Sequence, residues 1–96
     1  MVRTTEITER DILKSLDEAI EAIRRQPQIS PFGIEQELRE KVLEPGGEKP
    51  FFEGEPPQIY LEVQRFYEGI NHETNQLGAL ISLNNIRNNY QISENK

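Results

Sequence analysis

The side chains best suited to chemistry in this sequence gather around its one histidine. Glu68 stands four positions before His72, and Glu73 follows it directly. On a helix, Glu68 and His72 would share a face and offer two ligands to a divalent metal. Di-metal carboxylate bundles place a Glu-x-x-His pair on each of two helices. Here the spacing differs and no second histidine exists, so a solvated histidine is the stronger reading and no cofactor is expected. Nucleophilic catalysis has little to draw on. There is no cysteine, and Ser15, Ser30, Ser82 and Ser93 lack the glycine-flanked elbow that exposes a catalytic serine. Gly46-Gly47 leads into Glu48, whose charge would repel a phosphate. Lys49 lies between Glu48 and Pro50, where it should stay hydrated and charged, whereas a catalytic lysine must be buried enough to lose its proton. Asp and Glu total 17, and that abundance marks a hydrated surface; a catalytic acid also needs an apolar pocket. A metal-binding or enzymatic role is therefore the least supported of three function classes.

The other residues that ask for an explanation are Phe51 and Phe52, adjacent in the stretch EPGGEKPFFEGEPPQIY. Burying one phenylalanine contributes about 1.5–3 kcal/mol. A chain with only 34% hydrophobic residues has few such contributions to spare. Consecutive residues of an extended segment point to opposite sides. One ring should therefore pin the loop onto the body while the other faces outward. Glu48, Glu53 and Glu55 would rim that surface with negative charge, which favours a basic partner. Phe51, Phe52, Glu53 and Glu55 form the candidate partner-binding loop.

Three amphipathic segments must position these residues. Ile12, Leu13, Leu16, Ala19, Ile20 and Ile23 follow one stripe of a 3.6-residue period. Thr8 and Asp11 resemble a capping box, with Thr5 as a rival cap, and Pro27 stops the segment; the helix is expected over about 6–26. Ser30-Pro31 is a cap and first-turn pair, and Ile34, Leu38 and Val42 carry a second helix over 31–44. A loop spans 45–57. Ile59, Tyr60, Val63, Phe66, Tyr67 and Ile70 open a third helix. Beyond it, Val63, Ile70, Leu77 and Asn84 recur every seven residues, so the spacing predicts one long helix over about 58–90, kinked near Gly69–Asn71. Two helices with a short break are the alternative. The asparagines of SLNNIRNNY read either as a polar seam fixing register between copies or as a weakening helix end, the reading preferred. A frayed tail follows at 91–96.

The 96 residues make one domain, 1–96. The expected fold is all-α, a small three-helix (possibly four-helix) bundle with a long C-terminal helix and an extended proline- and glycine-rich loop. Its core is thin, and neither disulfides nor metals staple it. A long third helix carries more apolar surface than two short helices cover, which predicts a homodimer with Ile70, Leu77, Leu80, Ile81 and Asn84 in the interface. The net charge is −6. Between residues 27 and 58, Arg39, Lys41 and Lys49 are outnumbered by glutamates, so direct nucleic-acid binding is disfavoured. No apolar run reaches bilayer length, and MVRTTEITERD has no signal-peptide core, so a cytoplasmic location without membrane contact is expected. The functional expectation is a non-catalytic protein–protein interaction or regulatory module. An acidic decoy that inhibits a basic nucleic-acid-binding protein is the alternative.

Overall fold

The computed structural model describes residues 8–91. They form four α-helices and no strand: α1 (Glu9–Arg24), α2 (Pro31–Leu38), α3 (Gln58–Glu68) and α4 (Gln76–Gln91). α1 begins where its side chains close the backbone. The Thr8 N–H donates to Asp11 Oδ2 at 3.1 Å and the Asp11 N–H donates to Thr8 Oγ1 at 3.2 Å, a reciprocal box that satisfies two of the orphan amides of a helix start. α2 is capped by Ser30, whose hydroxyl accepts from the Gly33 N–H at 3.0 Å.

The regular helix expected over 31–44 ends at Leu38. Arg39–Leu43 continue it as a π-helical turn, closed by the Glu44 N–H donating to the Arg39 carbonyl, five residues back, at 2.6 Å. Two neighbours fix this geometry. Pro45 has no N–H with which to extend the helix, and the Tyr60 hydroxyl donates to the Leu43 carbonyl at 2.8 Å in a buried site. That oxygen would otherwise be an unsatisfied helix-end acceptor. Gly46 and Gly47 then take left-handed conformations, at φ 73 and 87, which only glycine adopts without strain. They turn the chain into the irregular stretch before α3.

The single helix expected over 58–90 is corrected to two. α3 stops at Glu68, where the Gly69 N–H is shared between the Arg65 and Phe66 carbonyls. The next residues satisfy their backbone with their own side chains. The Asn71 N–H donates to Thr74 Oγ1 at 3.0 Å, the Glu73 N–H donates to Asn71 Oδ1 at 2.7 Å, and Asn75 Oδ1 accepts from the Gly78 N–H at 2.8 Å to cap α4. Short polar side chains that bond locally compete with helix continuation. Here they outweigh the seven-residue apolar spacing, and the break takes Leu77 off the stripe that holds the fully buried Val63.

The core lies between the four helices. Leu16, Ile23, Ile34, Leu38, Ile59, Val63 and Leu83 are its largest fully buried side chains. α4 packs chiefly on α1 and secondarily on α3. Its first residue closes the end of α1, since the Gln76 amide donates to the Ile23 and Arg24 carbonyls, both at 3.1 Å. Farther along, Arg87 donates to Asp17 of α1 at 2.9 Å and the Tyr90 hydroxyl donates to Glu62 of α3 at 2.7 Å.

Candidate functional site

The two loop phenylalanines part company. Phe52 packs against the core and meets the Tyr60 ring edge-on, with centroids 4.9 Å apart, a favoured aromatic geometry. Phe51 is 50% exposed, and Glu48, Glu53 and Glu55 beside it are also exposed. The loop thus presents one outward ring set among carboxylates. Tyr60 both clamps Phe52 and bonds Leu43, so a single residue of α3 anchors the loop and the π turn together.

The five residues expected at an interface between copies differ in exposure. Ile70 and Leu80 pack against the chain's own core. The Asn84 amide donates to the Leu80 carbonyl of its own helix at 2.8 Å. Leu77 and Ile81, by contrast, are 67% and 55% exposed. They sit one helical turn apart on the outside of α4, with the exposed Gly78 between them. The same side continues through Asn85, Asn88 and Asn89, all exposed. No charged side chain interrupts it, because the one charged residue between Gln76 and Gln91 is Arg87, which turns to Asp17. An uncharged ridge about one helix long, on a chain of net charge −6, is the outstanding surface feature.

A third place was not anticipated from the sequence. Arg39, Lys49, Tyr67, Glu44, Glu68 and Tyr60 surround a cleft of about 130 Å³ beside the π turn. Arg39 Nη1 donates to the Tyr67 hydroxyl at 3.2 Å, and that bond, with the neighbouring charges, raises the guanidinium pKa. Burial, and secondarily the charge of Glu44, pushes the Tyr60 phenol up. The signal available in the sequence was indirect. Arg39 and Tyr67 fall on helix segments where a solvated arginine and a packed tyrosine are the ordinary readings, and only folding brings them within bonding distance across 28 residues.

The histidine holds no comparable place. α3 ends at Glu68, so His72 lies in the turn and shares no helical face with it. His72 Nε2 is 3.9 Å from Glu73 Oε2 with both side chains open to solvent. Among the described residues, no three His, Cys, Asp or Glu side chains converge as a metal site would require. None of the described helices is long and apolar enough to cross a membrane. Comparison with protein-family models, with curated proteins and with solved structures finds no match.

Proposed function

We propose that this acidic chain is a cytoplasmic, non-catalytic protein–protein interaction module that works as a homodimer joined through α4. The observation that supports the reading is the uncharged ridge begun by Leu77 and Ile81. α1, by contrast, meets water with charge, showing Lys14, Glu18, Arg24 and Arg25 on exposed positions, while α2 exposes the single apolar ring of Phe32. Two copies of a net-negative protein repel each other, so they associate most readily through a surface that carries no charge. A two-fold contact is self-complementary. It sets Leu77 of one copy against Ile81 of the other, with Gly78 letting the backbones come close. Rows of residues four apart pack against each other at a crossing of about 50°. A stable dimer buries ~1,200 Å² or more in total, so the asparagines of the ridge must take part alongside the two apolar residues. Asparagine suits that role because its amide both donates and accepts hydrogen bonds. The half-exposed ring of Phe51, among its glutamates, is then the place to receive a basic segment of a client protein.

Sedimentation equilibrium tests the dimer. The expected mass is twice the 11.2 kDa of one chain, falling to one chain for Ile81→Glu, while the circular dichroism and chemical denaturation of the diluted variant match those of the parent. A parent that stays monomeric at millimolar concentration, or an Ile81→Glu protein that stays dimeric, refutes the arrangement.

A further inference from the structure

The cleft beside the π turn combines three departures from regular structure. A π turn in place of α-helix sets the path of Arg39, Leu43 and Glu44. Two left-handed glycines return the chain so that Lys49 lines the same cleft. Tyr60 holds the turn from below through the Leu43 carbonyl. π turns are rare and recur at functional sites. In a protein otherwise built from ordinary amphipathic helices, this concentration of irregular backbone marks the cleft out.

The polar groups there are unspent in a specific way. The Tyr67 hydroxyl accepts from Arg39, and among the described residues its own hydrogen meets no acceptor. Arg24, Arg25, Lys41 and Arg87 are each paired with a carboxylate. Arg39 and Lys49 are not so paired among the described residues, although Glu44 and Glu68 line the same cleft. The guanidinium therefore keeps most of its five N–H donors free beside a hydroxyl that is also free to donate. Planar guanidinium and adjacent O–H are a fitting pair of donors for a carboxylate. The two glutamates decide what else the ligand carries. A phosphate dianion would be repelled by them, and a simple amine would be repelled by Arg39 and Lys49. A molecule with one charge of each sign satisfies both halves.

We infer that the cleft binds a small zwitterion with the charge pattern of a free α-amino acid. Its carboxylate is received by Arg39, the Tyr67 hydroxyl and Lys49, and its ammonium is turned toward Glu44 and Glu68. The Tyr60 and Tyr67 rings supply the apolar wall. This site is separate from the α4 ridge and stands whether or not the chain dimerises.

Amide-resolved NMR titration with the individual L-amino acids, alongside acetate and methylamine as single-charge controls, tests the inference. For a cleft this small and open, a dissociation constant of about 1 mM is expected. The shifts should be concentrated at residues 39–49, 60 and 67–68. At least one amino acid should bind more tightly than either control. Arg39→Gln should weaken that binding about tenfold, and Tyr67→Phe, which keeps the ring, should weaken it several-fold with an unchanged spectrum elsewhere. Absence of shifts with every amino acid at about 10 mM overturns the proposal. So does acetate binding as tightly as the best amino acid, or undiminished binding by a folded Arg39→Gln protein.

Discussion

α1 and α4 are both 16 residues long and lie against each other, yet they solve opposite problems. α1 buries Ile12, Leu13, Leu16, Ala19, Ile20 and Ile23 and covers its outside with charge. Of α4, only Ala79 and Leu83 are fully buried among the described side chains, and its outside mixes Leu, Ile, Gly and Asn without a single ion. Helical propensity is weak along such a sequence, so tertiary fastening holds α4 in place. Gln76, Arg87 and Tyr90 each reach a different partner on α1 or α3. The difference teaches that one helix is part of the core and the other is a cover whose outer face is kept free of charge. A face of that kind is useful for meeting another protein surface.

The largest effect that separates the two helices comes from deleting apolar volume on each. Ile23 is fully buried, and Ile23→Ala should cost about 2–4 kcal/mol, the sum of lost transfer energy and the cavity left behind. Set against a total stability of ~5–15 kcal/mol, that is a large fraction. Leu77→Ala, on the exposed ridge, should change the stability of the diluted protein by less than about 0.5 kcal/mol. Urea denaturation of both variants decides the matter. Equal losses at the two positions would mean that α4 is as much core as α1, and the distinction would fail.

α1 was legible in the sequence because every local signal agreed: an unbroken apolar stripe, the Thr8 and Asp11 box, and Pro27 beyond the end. The helix–loop–helix order and most of the core followed from the same periodicity. Two features were not legible, for different reasons. The break between α3 and α4 is written locally in Asn71, Thr74 and Asn75, but the recurrence of Val63, Ile70 and Leu77 pointed the other way. Which prevails depends on whether those apolar residues find a common partner, and in the fold they do not. The π turn has only a weak local signature, since Pro45 marks a helix end without saying how the last turn closes. It depends on Tyr60 reaching the Leu43 carbonyl from 17 residues away. The cleft of Arg39, Lys49 and Tyr67 inherits that dependence, and the exposure of Leu77 and Ile81 inherits the break.

The helix starts offer a sharper contrast at lower cost. α1 is closed by a titratable box, α4 by the neutral amide of Asn75. Thr8→Ala should destabilise the protein by about 1 kcal/mol, the usual worth of an N-cap. The pH response should come from Asp11. Hydrogen bonds from the Thr8 backbone N–H first, and from the Thr8 hydroxyl second, hold its carboxyl below the ordinary 3.8. A carboxylate with a lowered folded-state pKa adds stability that is complete above its unfolded value and lost as the pH falls through the folded one. The parent should therefore lose this contribution as the pH drops below about 3.8, and Asp11→Asn should remove it at neutral pH and flatten that part of the profile. An acid limb identical in parent and Asp11→Asn would show that the box contributes nothing to the difference between the helices.

The smallest effect lies at the far end of α4, where Tyr90 fastens the cover to α3. Burial first, and then the hydrogen bond to Glu62, push its phenol from the ordinary 10.0 up to about 12. A phenol whose folded-state pKa is raised stabilises the fold while it keeps its proton. The contribution is whole below pH 10 and fades as the pH rises from 10 toward about 12. Tyr90→Phe should cost about 0.5–1 kcal/mol near neutrality, since it removes one hydrogen bond to a partly exposed carboxylate. Ultraviolet titration gives the cleaner reading, because the step near pH 12 should vanish in that variant. If that step persists in Tyr90→Phe, then Glu62 does not hold the cover down. The cover would then be looser than its three fastenings imply.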